Sequence, residues 1–149
     1  MPDPITSLIE KLEGAAGPSI ALDAEICWTL ERDRATSAFW RGAMGRPGPL
    51  PDEFSRLPHG LGMASLEAGS PNYTASLDVA LALAERVLPG WYWRAGRTPL
   101  GQWHHGRYTY GWAHLSRTDA SNCDRGDEST GWAATPALAL CAAILRAKQ

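Results

Sequence analysis

The sequence predicts a small α+β protein. Apolar residues recur with the 3.6-residue spacing of amphipathic helices near both ends and in the middle of the chain, and with a two-residue spacing between Trp91 and His114. At 149 residues the chain has the length of one domain and can bury a core without disulfides or a structural metal. A single domain, 1–149, is therefore expected. It comprises a helical hairpin over about 3–32, a Gly/Pro-rich excursion over about 33–72, and a helix-strand-strand-helix core over about 74–148.

The first helix has Asp3 as N-cap, Pro4 at its first position and Ile5, Leu8, Ile9 and Leu12 on one face, and it stops at Gly14 and Gly17-Pro18. A second helix, 19–32, repeats Leu22, Ile26 and Leu30 every four residues. Glycines and prolines then break the pattern, leaving room for a short strand near 38–40 and a short helix near 52–57. Thr74 or Ser76 caps a third helix with Leu77, Leu81, Ala84 and Leu88 in line, and Pro89-Gly90 ends it. Trp91, Trp93 and Ala95, then Tyr108, Tyr110, Trp112 and His114, alternate with their neighbours as in two strands, joined through a turn-like segment at 98–106. The polar stretch 118–131 reads as a loop. A last helix follows, with Thr135 as N-cap, Pro136 at N1, a line of Leu138, Cys141, Ile144 and Leu145, and small alanine flanks suited to close packing on a sheet.

Composition narrows the function classes. A net charge of −2 does not supply the field of a general nucleic-acid binder, so non-specific nucleic-acid binding is disfavoured. No apolar run approaches a membrane span, and Met1-Pro2-Asp3-Pro4 lacks the basic and apolar regions of a signal peptide, so a cytoplasmic location is expected. The three cysteines, Cys27, Cys123 and Cys141, are odd in number and read as reduced thiols. Seven tryptophans against two phenylalanines are the main departure from average.

Three segments also carry a family resemblance. They are Leu8-Ile9-Glu10-Lys11-Leu12-Glu13 running on to Gly17-Pro18 and Leu22-Asp23-Ala24-Glu25-Ile26, then Tyr73-Thr74-Ala75-Ser76-Leu77-Asp78-Val79-Ala80-Leu81-Ala82-Leu83, and Ala134-Thr135-Pro136-Ala137-Leu138-Ala139-Leu140-Cys141-Ala142-Ala143. Together they resemble the small phage and prophage proteins of the phage ABA sandwich domain family. The resemblance implies a three-layer α/β/α sandwich, a small antiparallel sheet with helices on both faces, working in the host cytoplasm. It implies no reaction and brings no site residues.

Candidate sites therefore rest on the residues themselves. His104, His105 and His114 lie near Cys123, Asp124 and Asp127, but no spacing fixes a metal geometry, and no metal or other cofactor is expected. Carboxylates beside Cys123 oppose a thiolate, and the phosphate-loop, dinucleotide and nucleophile-elbow patterns are absent, which argues against an enzyme. The strand aromatics Trp91, Trp93, Tyr110 and Trp112 read first as core filling between sheet and helices. Trp103 stands apart, in a segment with His104, His105 and Arg107 where rings stack and cations pair. With Arg94 and Tyr110 these form the candidate ligand-binding set.

The expected function is a non-catalytic accessory binding protein that sequesters a small nucleotide-like host signal as a counter-defence. One alternative is an inhibitor that masks a host defence enzyme, anchored by Trp40 or Trp103; another is a small enzyme acting on a nucleotide through the His-rich loop. The expected partner is thus a small nucleotide-like ligand or a host protein, not a membrane, and self-association stays open.

Overall fold

Each helix begins where a side chain is placed to accept from the orphan N–H groups of its first turn. In the computed structural model, which describes residues 3–35, 67–104, 106–117 and 128–149, Asp3 caps α1 (Pro4–Gly14), Ser19 caps α2 (Ile20–Leu30), Ser76 caps α3 (Leu77–Val87) and Thr135 caps α4 (Pro136–Lys148). Three strands, β1 (Tyr92–His104), β2 (Arg107–Ser116) and β3 (Glu128–Ala133), form an antiparallel sheet in the order β1-β2-β3. The small α+β fold is thus as expected. Most of the Gly/Pro-rich excursion, with the elements anticipated near 38–40 and 52–57, lies outside the described residues, as do Trp40, His105 and Cys123.

The chain divides into two compact units, Ser19–Asn72 and the combination of Met1–Pro18 with Tyr73–Gln149. In the first, α2 buries Leu22, Ile26 and Cys27, and Arg32 lays its guanidinium 3.8 Å from the Trp28 ring centroid while its Nε donates to Trp28 O at 3.0 Å. In the second, α4 is central: Ala137 to Leu145 are all buried, and the helix touches β2, β3, α1 and α3. Its apolar residues surround the axis, so burial on every side is the stable arrangement. From α1 come Leu8, Ile9 and Leu12, the expected face. From α3 come Ala80, Leu83, Ala84 and Leu88, which moves its buried stripe off Leu77 and Leu81.

The sheet departs from the sequence reading in three ways. Residues 98–104 are not a connecting turn: β1 runs on to His104, which pairs with Arg107 at the start of β2, and Gly106 takes φ +82°. Trp103 accordingly sits on a strand, opposite Tyr108. The supposed loop 118–131 contains the start of β3, which pairs Ala133, Gly131 and Ser129 with Gly111, Ala113 and Leu115 of β2.

The third departure concerns the face that packs on the helices. It is the small-residue face, with Thr109, Gly111, Ala113 and Leu115 buried on β2 and Ser129, Gly131 and Ala133 buried on β3. A Cβ added at Gly131 would run into the carbonyl of Ala139, and one at Gly111 into the backbone of Thr135 and Pro136. Ser129 Oγ donates to Ala143 O across the same contact. A sheet this close to a helix backbone leaves no space for rings. The aromatics expected to fill the core are therefore displaced: Tyr110 is exposed on the opposite face, Trp112 lies half-buried there over Gly96, and Trp93 lines a shallow groove with Leu88 and Leu115. Within this unit the described helices cover one face of the sheet, and Tyr92, Tyr108 and Tyr110 are exposed on the other.

Two substitutions test this packing. Gly131→Ala places its methyl against helix backbone, which yields less readily than a side chain, and should lower stability by roughly 1–3 kcal/mol; a chemical denaturation midpoint equal to that of the wild type would show that α4 does not lie this close to β3. Leu138→Ala, at a position with no exposed surface, should cost about 2–5 kcal/mol, read as a lower denaturant midpoint at unchanged slope.

Candidate functional site

Pleating sends neighbouring strand residues to opposite faces, so the hairpin end divides the candidate residues into two groups. His104 pairs in register with Arg107 on the helix side, and Trp103 pairs with Tyr108 on the open side. Tyr110 and Arg94 belong with Trp103. Arg94 is opposite His114, one residue out of phase with the pair Trp93 and Leu115 that faces α3. Of the six residues singled out in the sequence, two therefore face the helices and three the open side, while His105 lies outside the described residues.

His104 and Arg107, on the helix side, line a cleft of about 330 Å³ with Thr109, Glu10, Glu13 and Arg146, and Trp132, whose register partner is Trp112, also lines it. Its floor is an ion pair between α1 and α4. Arg146 Nη2 donates to Glu13 Oε1 at 2.6 Å, and Nη1 donates to Glu13 Oε2 at 2.7 Å and to Thr130 O at 2.9 Å. The fork of the guanidinium matches the carboxylate, the geometry in which such pairs are strongest. Trp132 N–H adds a long bond to Glu13 Oε2, 3.4 Å. Both carboxylate oxygens are engaged, so Glu13 is a structural anchor.

Around that floor, Arg107 reaches from the hairpin to α1, donating from Nη1 to Glu13 O at 3.1 Å. This caps a carbonyl at the helix C-terminus with a cation, which the helix dipole favours. The close approach requires a small residue at Gly14, where a Cβ would lie 2.8 Å from Arg107 Nη1. His104 meets the Trp132 ring edge-on, centroids 3.9 Å apart, and Thr109 Oγ1 donates to Gln102 O at 3.2 Å. Arg107 spends one of its five donors on the protein in these contacts and has the remainder for a ligand.

The open side carries exposed rings. Trp103 and Tyr108 meet edge to face at 5.2 Å and are 63 % and 60 % exposed. Residues 98–101 bulge out of β1 opposite Tyr110. At the end of the bulge Gly101, φ +76°, lies under two rings: a Cβ there would be 2.9 Å from Tyr110 Cε1 and 3.2 Å from Tyr108 Cδ1. Gly96 lies under Trp112 in the same way.

Sequence reasoning reached His104 and Arg107 but missed the other cleft residues. Glu13 and Arg146 meet across 133 positions of sequence, and no local pattern announces such a pair. Trp132 could have been found only by recognising β3 and its register, whereas Thr109 lies two residues from Arg107 on β2. Among the described residues no cluster of His, Cys, Asp or Glu is arranged to hold a metal, and no helix is long and apolar enough to cross a membrane.

Removing the anchor should be felt in stability. Glu13→Gln preserves shape but leaves Arg146 facing a neutral amide in a partly buried site, and should cost about 1–3 kcal/mol. A melting curve superimposable on wild type would make the pair a surface contact of little consequence.

Compared with known protein families, the curated proteins and the solved structures, the chain matches none.

Proposed function

We propose that the protein is a non-catalytic binding protein that sequesters a small nucleotide-like molecule in the cleft beneath the β1–β2 hairpin. The observation that carries this reading is the pairing of Arg107, with donors to spare, and the indole of Trp132 in one cleft of about 330 Å³. Small-ligand sites begin at roughly 300 Å³ and combine an apolar wall with a few placed polar groups. A guanidinium suits a phosphate and an indole suits a base. Two of the cleft's polar groups, Glu13 and Thr109, hold the fold together, beside Glu10 and His104 in the same lining. Glu13 is clamped by Arg146, and the Thr109 hydroxyl donates to the backbone, so neither is poised as an acid or base.

The proposed setting is a phage or prophage accessory protein acting in the host cytoplasm on a defence signal, in keeping with the resemblance of the three helical segments to the phage ABA sandwich proteins. A protein inhibitor would use the same hairpin differently, with Trp103 rather than Arg107 as its anchor.

Calorimetric titration with single nucleotides, linear and cyclic, tests the cleft. At least one should bind, and Arg107→Met, which retains the side-chain stem, should weaken it about tenfold or more through the lost charge-assisted bonds. Trp103→Ala, on the other face, should leave that affinity unchanged. Failure of every nucleotide to bind, together with no ultraviolet-absorbing molecule released when the purified protein is heated, would exclude this reading.

A further inference from the structure

We infer that the nucleotide held in the cleft carries guanine, with the Glu10 carboxylate reading the two adjacent N–H donors of that base. This rests on the cleft reading and names the base the cleft takes. The ground is the balance of charge along the lining. Two carboxylates and two guanidiniums line the space. Glu13 and Arg146 neutralise one another through bonds of 2.6 and 2.7 Å. Arg107 donates to a main-chain carbonyl, which leaves its charge unbalanced. Glu10 is exposed, and among the described residues no hydrogen bond or ion pair engages its side chain. One cation and one carboxylate are thus left to a ligand. A wholly anionic molecule such as a polyphosphate suits Arg107 but is opposed by Glu10, whereas a molecule with one phosphate and a hydrogen-bond-donating end suits both.

The two groups also stand in an order that suits a nucleotide. Arg107 holds the carbonyl of Glu13, near the C-terminal end of α1, and Glu10 lies one turn earlier on the same helix. Helical side chains lean toward the N-terminus, away from that end. Glu10 is therefore set back from the Arg107 contact by roughly the rise of three residues, 4.5 Å. In a nucleotide the sugar separates phosphate from base, and the hydrogen-bonding edge of the base is the far end of the molecule. A phosphate on Arg107 directs that edge, rather than the nearer sugar hydroxyls, to Glu10. The cleft of about 330 Å³ is close to the roughly 300 Å³ at which small-ligand sites begin, so it suits one base and one phosphate rather than a dinucleotide.

A carboxylate selects among the bases because it can only accept. Guanine presents its ring N–H and its exocyclic amino group side by side, and they match the two oxygens of one carboxylate as parallel charge-assisted bonds. Adenine and cytosine each set one donor beside a ring nitrogen that accepts. Uracil sets one N–H between two carbonyls. Against Glu10 those acceptors meet negative charge with no proton between. A site that reads hydrogen bonds rejects a ligand that leaves them unmade more strongly than an apolar pocket rejects a wrong shape. Glu10 is exposed, so water softens that rejection, and the preference expected is about tenfold rather than absolute.

Calorimetric titration of the full chain with the monophosphates of guanosine, inosine, adenosine, cytidine and uridine tests the assignment. The guanosine compound should bind about tenfold more tightly than those of adenosine, cytidine or uridine, and the inosine compound, which lacks the exocyclic amino group, should fall between. Glu10→Gln keeps the length and helix propensity of the side chain but sets a donor where an acceptor stood. It should bring the ratio of guanosine to adenosine monophosphate affinity to within about threefold. Arg107→Met should weaken both alike. Equal binding of all five, or an unchanged ratio in Glu10→Gln, would overturn the guanine assignment while leaving the cleft a nucleotide site. A loss in that variant shared equally by every nucleotide, as a contact to the sugar would produce, overturns it in the same way. Absence of binding by any of the five overturns it together with the cleft reading. Should Glu10→Gln melt lower than the wild type, the ranking of the five compounds on the wild-type chain decides by itself.

Discussion

The contact between α4 and the sheet governs everything else in the larger unit. Gly111, Ala113, Gly131 and Ala133 bring the strands so near the helix that its backbone, not its side chains, meets β2 and β3. Interiors are packed to crystal-like density, so such closeness is stable only if both surfaces are small. Ala139 and Ala143 on the helix answer the glycines on the strands. The larger members of α4, Leu138, Leu140, Ile144 and Leu145, are buried as well, on a helix that also contacts α1 and α3. A helix enclosed on all sides in this way fixes the positions of its neighbours.

The Glu13–Arg146 pair depends on that arrangement and extends it toward the hairpin. By joining the end of α1 to the last turn of α4, and through Arg146 to Thr130 O of β3, it ties three elements at one point. Desolvation makes an isolated buried ion pair a poor source of stability. Here the two-pronged geometry and the additional bonds to Thr130 and Trp132 satisfy both groups while one flank stays open to the cleft. Arg107 then fastens the hairpin to the carbonyl of Glu13. The cleft is the space left between these fixed points.

The helices were legible in the sequence because capping is local. Asp3, Ser19, Ser76 and Thr135 mark their starts within a few residues of the apolar pattern they introduce. The sheet was less so. Period-two alternation was visible in β2, but alternation does not say which face is inside, and the large rings drew the assignment to the wrong one. The decisive signal was the alanine content of α4, a surface that asks for small partners. β3 escaped notice for the same reason, since Ser129, Gly131 and Ala133 look like a loop unless the helix they meet is considered. The cleft was legible only in part: His104 and Arg107 are neighbours of Trp103 in sequence, whereas Glu13, Trp132 and Arg146 join them only through the fold.

The separation of Trp103 from His104 is where register acquires functional weight. Adjacent in sequence, they serve opposite faces, and a slip of one residue between β1 and β2 would exchange the groups on the two sides. The bulge at 98–101 places four residues opposite Tyr110, so it sets the phase in which the hairpin end resumes pairing at Gln102 and Thr109. Gly101 allows that bulge by taking φ +76° and by leaving space for the rings of Tyr108 and Tyr110. From the other face, the bond of Arg107 to Glu13 holds the same phase. The glycine on one side and the arginine on the other therefore fix which residues face the cleft and which face the open surface.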